Sequence, residues 1–141
     1  DRAANSGFPP AQNALGAAHL AGEGVPQSFA LAHAWFERAA HGGDALAQCN
    51  LGVMYAQGLA DLPRDYASAH YWYELSAAQG CADAQYNLAL IFAKGLGVKK
   101  DLALAYQHCA SAASQGHVQA VAALPPLRQT MKLAGVAISE I

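Results

Sequence analysis

Charged side chains and long apolar runs are both scarce in this sequence. Only 13% of its 141 residues are charged, and the eight Lys and Arg side chains are scattered along the chain. Because phosphate recognition needs clustered basic side chains, this scarcity and the net charge of −2 argue against nucleic acid as a partner. No apolar run approaches the roughly 18–20 residues that cross a bilayer, so no direct membrane insertion of this segment is predicted. The 54% hydrophobic content instead predicts a folded chain.

The motifs of common catalytic and metal sites are also missing. The sequence contains no HExxH and no paired Cys/His spacing that would hold zinc, and no GxSxG or SxxK of a nucleophilic enzyme. Its three cysteines, Cys49, Cys81 and Cys109, cannot all pair within the chain, and none belongs to a CxxC motif. The sequence therefore predicts no enzymatic activity, no cofactor and no metal, and it leaves a periplasmic or a cytoplasmic location open.

What the sequence does contain is a repeat of 36 or 37 residues. A motif at residues 11–16 returns at 47–52 and again at 84–89, and Gly22, Gly58 and Gly95 keep the same period. A fixed period of this length is typical of solenoids, in which each unit buries its apolar face against its neighbours. The predicted units are the end of a preceding repeat at 1–10, three repeats at 11–46, 47–83 and 84–119, and a C-terminal capping segment at 120–141.

Each repeat has the pattern of two helices joined by a glycine turn. Apolar residues in the segments 11–21, 47–57 and 84–94 recur at helical spacing, and a glycine follows each segment. A capping residue then begins the second helix; these residues are Ser28, Asp65 and Asp101. The predicted fold is all-α, a right-handed α/α superhelix (solenoid) of stacked helical hairpins.

Small residues at one repeat position predict a close approach between the two helices of each hairpin. Gly16, Gly52 and Ala89 occupy this position in the first helices. We expect them to face small residues of the second helices, namely Ala39, Ala77 and Ala113. A bulkier residue at Gly52 is then expected to overpack the crossing.

The last segment of the chain begins like another repeat but carries two prolines. The pattern restarts after Ala120, and Pro125 and Pro126 are expected to stop it, because proline lacks an amide hydrogen and restricts the residue before it. A short capping helix is predicted over residues 126–133, since terminal repeats need caps.

These landmarks together resemble the Sel1-like repeat, which is similar to the tetratricopeptide repeat but has a longer unit. The second repeat shows the pattern most completely, with Ala-Gln-x-Asn-Leu-Gly-x-x-Tyr-x-x-Gly at 47–58, Asp-Tyr-Ala-x-Ala at 65–69, Trp-Tyr at 72–73 and Ala-Ala-x-Gly at 77–80. Single positions depart from it, since His19 stands where Tyr55 stands and His108 replaces a tryptophan. Some secreted members carry paired cysteines that tie the helices of each repeat. No repeat of this chain has a matching pair, so a disulfide-stapled protein is not implied.

The resemblance implies binding rather than catalysis. Arrays of this family act as adaptors or scaffolds that hold peptides or protein partners in signalling or envelope-associated complexes. By this resemblance we expect a non-enzymatic adaptor, a segment of a larger bacterial protein, whose partner lies on the concave surface lined by the first helices. The alternative is a regulatory or oligomerising spacer attached to a catalytic or membrane domain, with self-association through its open repeat ends.

Two sets of amide side chains recur along the first helices and define the candidate site. One repeat position holds Asn50 and Asn87, and another holds Gln48 and Gln85. Such a ladder either hydrogen-bonds the backbone of an extended peptide or caps and bridges neighbouring helices. Apolar neighbours either form pockets in the same groove or pack against the adjoining hairpin. The candidate partner-binding residues are Gln48, Asn50, Val53, Gln85, Tyr86, Asn87 and Leu90.

Overall fold

The computed structural model describes residues 2–59 and 61–136. The helices in this part of the chain are α1 (Arg2–Asn5), α2 (Pro9–Ala21), α3 (Phe29–His41), α4 (Ala45–Gln57), α5 (Tyr66–Ala78), α6 (Ala82–Lys94), α7 (Leu102–Ser114) and α8 (Val118–Leu133). No strand occurs among the described residues, and the predicted all-α fold is confirmed. Asp1 and the end of the predicted capping segment, 137–141, lie outside the described residues.

Polar caps and left-handed glycines set the helix boundaries. The predicted caps are confirmed, because the side chains of Ser28, Asp65 and Asp101 each accept a hydrogen bond from the amide three residues further on, at 3.0–3.2 Å. At the end of α4, Gly58 takes a φ of 67°, a conformation that glycine adopts without steric cost. These local signals recur in each repeat, which is why the hairpins were predictable.

The first helix of each repeat begins two residues before the predicted start. These helices begin at Pro9, Ala45 and Ala82. For α4 the cause is Asp44, whose carboxylate accepts from the Ala47 amide at 2.9 Å and so caps the helix early. Pro9 suits the first position of α2 because the amide hydrogen it lacks has no partner there.

Neighbouring hairpins share their apolar core. The pairs α2 with α3, α4 with α5, and α6 with α7 form the hairpins, and α3 with α4 and α5 with α6 pack across the repeat boundaries. One buried cluster joins Phe36 of α3, Leu51 of α4 and Trp72 of α5, and a second joins Tyr73 of α5 to Leu88 of α6. Because both clusters cross a repeat boundary, the core is continuous along the stack, as a solenoid requires.

The close approach within the first two hairpins involves aromatic rings. A methyl group on the Cα of Gly52 would lie 2.6 Å from Cε1 of Tyr73, and one on Gly16 would lie 2.7 Å from Cδ1 of Phe36. We expected Ala39 and Ala77 to face Gly16 and Gly52. That expectation is wrong, because in these two repeats a flat aromatic ring occupies the space that the glycine leaves. In the third repeat the larger Ala89 packs in a cluster with the smaller Cys109.

The prediction that α8 stops at the prolines is wrong. The helix runs from Val118 to Leu133 with both prolines inside it, so the separate helix over 126–133 is also wrong. The prolines remove the amides that would bond to the carbonyls of Val121 and Ala122. Both of these residues are exposed, so water can satisfy their carbonyls, while Leu127, just after the prolines, packs against two buried clusters and Met131 is itself buried.

Candidate partner-binding surface

Each first helix carries one stripe of exposed or half-buried side chains, although Val53 in this stripe also packs against the second buried cluster. On α4 the stripe is Leu46, Asn50, Val53 and Gln57, whose spacing of four, three and four residues keeps it on one side of the helix. The equivalent residues of α6 are Asp83, Asn87, Leu90 and Lys94, and those of α2 are Pro10, Ala14, Ala17 and Ala21. All twelve are exposed or half-buried. We call these three stripes together the first-helix face.

Four of the seven predicted site residues lie on this face. They form the same pair in two consecutive repeats, an asparagine followed three residues later by an aliphatic side chain: Asn50 with Val53, and Asn87 with Leu90. All four are half-buried. The structure therefore brings an amide and an apolar surface together at equivalent places on α4 and α6.

The two asparagines also link neighbouring first helices. Asn50 Nδ2 donates to Asn13 Oδ1 at 3.0 Å, and Asn87 Nδ2 lies 3.9 Å from Cys49 Sγ, a long hydrogen bond to sulfur. No described residue donates a hydrogen bond to the Oδ1 atom of either Asn50 or Asn87. Each amide thus has one end held by the preceding repeat and an acceptor oxygen available to a ligand.

The two predicted glutamines are engaged in hydrogen bonds with other helices of the stack. Gln48, which is only 5% exposed, donates from Nε2 to the Ala40 carbonyl at 3.2 Å and accepts at Oε1 from Gln79 at 2.9 Å. Gln85 accepts in the same way from Gln115 at 3.0 Å. These contacts are the bridging alternative that the sequence left open. Gln79 and Gln115 were not singled out beforehand, although their 36-residue separation was a signal.

Tyr86 lies at the junction of the third repeat with α8. Its ring stacks on that of His117, with centroids 4.9 Å apart. His117 accepts at Nδ1 from the Ala120 amide at 3.2 Å and lies 2.8 Å from Asp83 Oδ1 through Nε2, so it caps α8 and holds an acidic residue of the first-helix face. The environment of Tyr86 is therefore that of a packing residue beside the face.

The histidines of the second helices pack on aromatic rings. His33 meets Tyr55 edge-on at 5.8 Å, and His70 meets Phe92 edge-on at 5.6 Å. His108 stacks on Phe92 at 5.7 Å, and burial lowers its pKa. Within 2–59 and 61–136, no group of three His, Cys, Asp or Glu side chains is arranged to hold a metal ion.

Comparison with known proteins decides the family. A model of the Sel1 repeat matches residues 9–44, 45–81 and 82–117, units that begin at the first residues of α2, α4 and α6. This chain belongs to the Sel1 repeat family. The resemblance drawn from the sequence is confirmed, and so is the solenoid of stacked hairpins. A comparison with curated proteins gave no match.

Two solved structures show the same fold. A Sel1 repeat protein from Oxalobacter formigenes is 38% identical, with a TM-score of 0.80, and the match covers 89% of this chain and 93% of that one. The protein c5321, described as a protective antigen present in uropathogenic Escherichia coli strains, is 36% identical, with a TM-score of 0.86. That match covers 97% of this chain and 28% of c5321.

Membership of the family sets the general class of activity. The Sel1 repeat fold generally serves protein–protein interaction, and the family is typically non-catalytic. None of the helices in the described part of the chain is both long enough and apolar enough to span a membrane.

Proposed function

We propose that this Sel1 array is a non-enzymatic adaptor that binds an extended segment of a partner protein on the first-helix face. The observation that supports the proposal is the repeated pair of one amide and one aliphatic side chain, Asn50 with Val53 and Asn87 with Leu90. Two equivalent subsites on consecutive first helices suit a ligand that itself repeats, and a polypeptide backbone is such a ligand.

The chemistry of each subsite matches an extended backbone. The Oδ1 atoms of Asn50 and Asn87 accept N–H groups from the ligand, while Val53 and Leu90 contact its apolar side chains. In an extended chain the N–H groups that point to one side recur at every second residue, so a partner segment places one N–H group at Asn50 and another, an even number of residues along, at Asn87.

The first repeat contributes less to this site. On α2 the asparagine position holds Ala14 and the aliphatic position holds Ala17, so α2 supplies no amide acceptor there. The proposed site accordingly spans α4 and α6. The glutamine ladder supports it from behind: Gln48 donates to the Ala40 carbonyl of the preceding repeat, and Gln115, which donates to Gln85, also donates to the Gly80 carbonyl of the preceding repeat.

A peptide selection followed by affinity measurement tests the proposal. Peptides are selected on the wild-type protein from a random library, and their affinities are measured by fluorescence polarisation. The variant Asn50→Ala/Asn87→Ala loses two hydrogen bonds worth about 1 kcal/mol each, so we expect binding to weaken roughly 10- to 30-fold.

The matched control is Gln107→Ala/Gln129→Ala, which removes two exposed amides from α7 and α8. It should bind the selected peptides as the wild type does. Unchanged affinity of the double asparagine variant, with its helical circular dichroism intact, would sink the proposed site.

A second candidate function is self-association through α8. Three apolar side chains of this last helix are unusually exposed, Val118 at 81%, Val121 at 51% and Leu133 at 79%. Such a row suits contact with another apolar surface, as an oligomerising spacer requires. Sedimentation velocity over a concentration series tests this alternative, and a monomer at every concentration argues against it.

A further inference from the structure

One position of the first-helix face differs from repeat to repeat. It holds Pro10 in α2, Leu46 in α4 and Asp83 in α6. In the last two helices it lies one turn before the repeated pair of an amide and an aliphatic side chain. When a protein binds an extended segment, contacts to the backbone give affinity and contacts to particular side chains give specificity. The repeated pair therefore suits the backbone of a ligand, and the changing position suits its side chains.

Leu46 and Asp83 are both open to a ligand. Leu46 is 57% exposed, and the side chain of Asp83 is 70% exposed. No Lys or Arg in the described part of the chain forms an ion pair with Asp83. Two consecutive first helices thus present an apolar side chain and a carboxylate without a cationic partner at equivalent places.

His117 orients the Asp83 carboxylate without neutralising it. The Ala120 amide can only donate a hydrogen bond, so Nδ1 of His117 accepts it and carries no hydrogen. The ring hydrogen is therefore on Nε2, which donates to Asp83 Oδ1 at 2.8 Å. A neutral ring leaves the carboxylate its negative charge, and no described residue donates a hydrogen bond to Oδ2. Oδ2 is accordingly the atom that a cationic side chain of a ligand can reach.

An extended ligand that crosses α4 and α6 directs its side chains along these helices. Its N–H groups face Asn50 and Asn87 in the proposed complex, and the side chains of an extended chain stand at right angles to its N–H groups and point alternately to opposite sides. Every second side chain therefore points towards the helix starts, where Leu46 and Asp83 lie, and the others point towards the aliphatic partners of the two asparagines. Two ligand side chains that reach Leu46 and Asp83 are thus an even number of residues apart.

We propose that Leu46 and Asp83 determine which segment binds, an extended peptide with an apolar side chain and, an even number of residues away, a lysine or an arginine. The apolar side chain packs against Leu46, and the cationic group donates a charge-assisted hydrogen bond to Asp83 Oδ2. This inference rests on the proposed function, because Asn50 and Asn87 hold the backbone that presents the two side chains. It adds the chemistry of the partner, a segment both apolar and basic, to the first-helix face.

Charge reversal at Asp83 tests the basic position of the ligand. Peptides selected on the wild-type protein from a random library should carry Lys or Arg, and Asp83→Asn should bind them about fivefold more weakly. Asp83→Lys should lose more than about tenfold through like-charge repulsion, and it should bind more tightly than the wild type once the basic residue of the peptide is replaced by Glu. The matched control Glu23→Gln removes an exposed carboxylate from the loop after α2 and should bind as the wild type does.

A new selection on Leu46→Asp tests the apolar position. Leu46 is exposed in the first turn of α4, where a negative charge suits the positive end of the helix, so this variant should fold. Peptides selected on it should carry two basic residues an even number of residues apart, in place of one apolar and one basic residue. Recovery of the pattern selected by the wild type would overturn the role of Leu46.

The outcomes separate this inference from the proposed function. We expect weaker binding by both Asn50→Ala/Asn87→Ala and Asp83→Lys. If only the asparagine variant binds more weakly, the first-helix face binds peptides and the proposed selectivity is wrong. If neither variant changes the affinity while both keep their helical circular dichroism, the peptides bind elsewhere and both proposals are wrong. A selection that yields no peptide would overturn both as well.

Discussion

Replacing Gly52 with alanine should destabilise the array, although alanine is the better helix former. The added methyl would lie 2.6 Å from Cε1 and 2.7 Å from Cδ1 of Tyr73, and real contacts of this kind essentially never fall under 3.0 Å. Tyr73 is only 3% exposed, so its ring has no solvent to move into. Overpacking costs about 1–3 kcal/mol, and helix propensity returns about 1 kcal/mol, so the expected net loss reaches about 2 kcal/mol.

The third repeat shows how the same position tolerates a methyl group. There Ala89 stands at the position of Gly52, and it packs in a cluster with Cys109, which stands at the position of Tyr73. In a Tyr73→Cys background, Gly52→Ala should therefore become stabilising. The double-mutant cycle should give a coupling energy of about 1–3 kcal/mol.

Urea unfolding followed by circular dichroism, under reducing conditions, measures the four proteins of this cycle. Ala89→Gly serves as the matched control, because it removes a methyl group from the equivalent position where a methyl group fits; it should destabilise. If Gly52→Ala raises the unfolding midpoint equally in the wild-type and Tyr73→Cys backgrounds, the close contact between glycine and ring is not what constrains this position.

Three further substitutions test the loops and caps. Gly97→Ala and Gly24→Ala both place alanine at a positive φ, which costs about 1–2 kcal/mol, but a methyl on Gly97 would also lie 2.8 Å from Tyr66 Cβ, whereas Gly24 has nothing within 4 Å. Gly97→Ala should therefore show the lower Tm, and equal losses would contradict the contact. The hydroxyl and amide of Ser68 donate hydrogen bonds that hold the pKa of Asp65 below its usual value. The ionised cap therefore stabilises the fold at pH values above the pKa that Asp65 has in the unfolded chain. This stabilisation is lost as the pH falls through the lower pKa that Asp65 has in the folded protein. The Asp65→Asn variant has no titrating group at this cap, so its Tm should fall less than that of the wild type between about pH 5 and pH 2.5. Plots of Tm against pH that run parallel for the two proteins would contradict this reasoning.

The parts of the fold set by local signals could be predicted from the sequence. Capping residues such as Asp65 and the glycine that ends each first helix act within one turn of the chain, and their 36- or 37-residue period revealed the hairpins. The ring contacts of Gly52 and the continuation of α8 through Pro125 could not be predicted in this way. They depend on contacts between segments distant in sequence, and those contacts outweigh the local preference.

The residues of the candidate site could be predicted from the sequence, but which of them line the first-helix face and which pack within the stack could not. Equivalent repeat positions singled out both Asn50 and Gln48, because a period cannot distinguish a side chain that faces solvent from one that faces a neighbouring helix. The difference lies in Gln79, which reaches across 31 residues to Gln48.

Nuclear magnetic resonance of the asparagine side chains tests the proposed binding face most directly. The chain has four asparagines, Asn5, Asn13, Asn50 and Asn87, so selective ¹⁵N labelling gives four side-chain amides to follow during titration with a selected peptide. We predict saturable shifts at Asn50 and Asn87, with Asn5 unchanged. Saturation of the protein with the Asn50 and Asn87 signals unmoved would contradict the assignment of partner binding to the first-helix face.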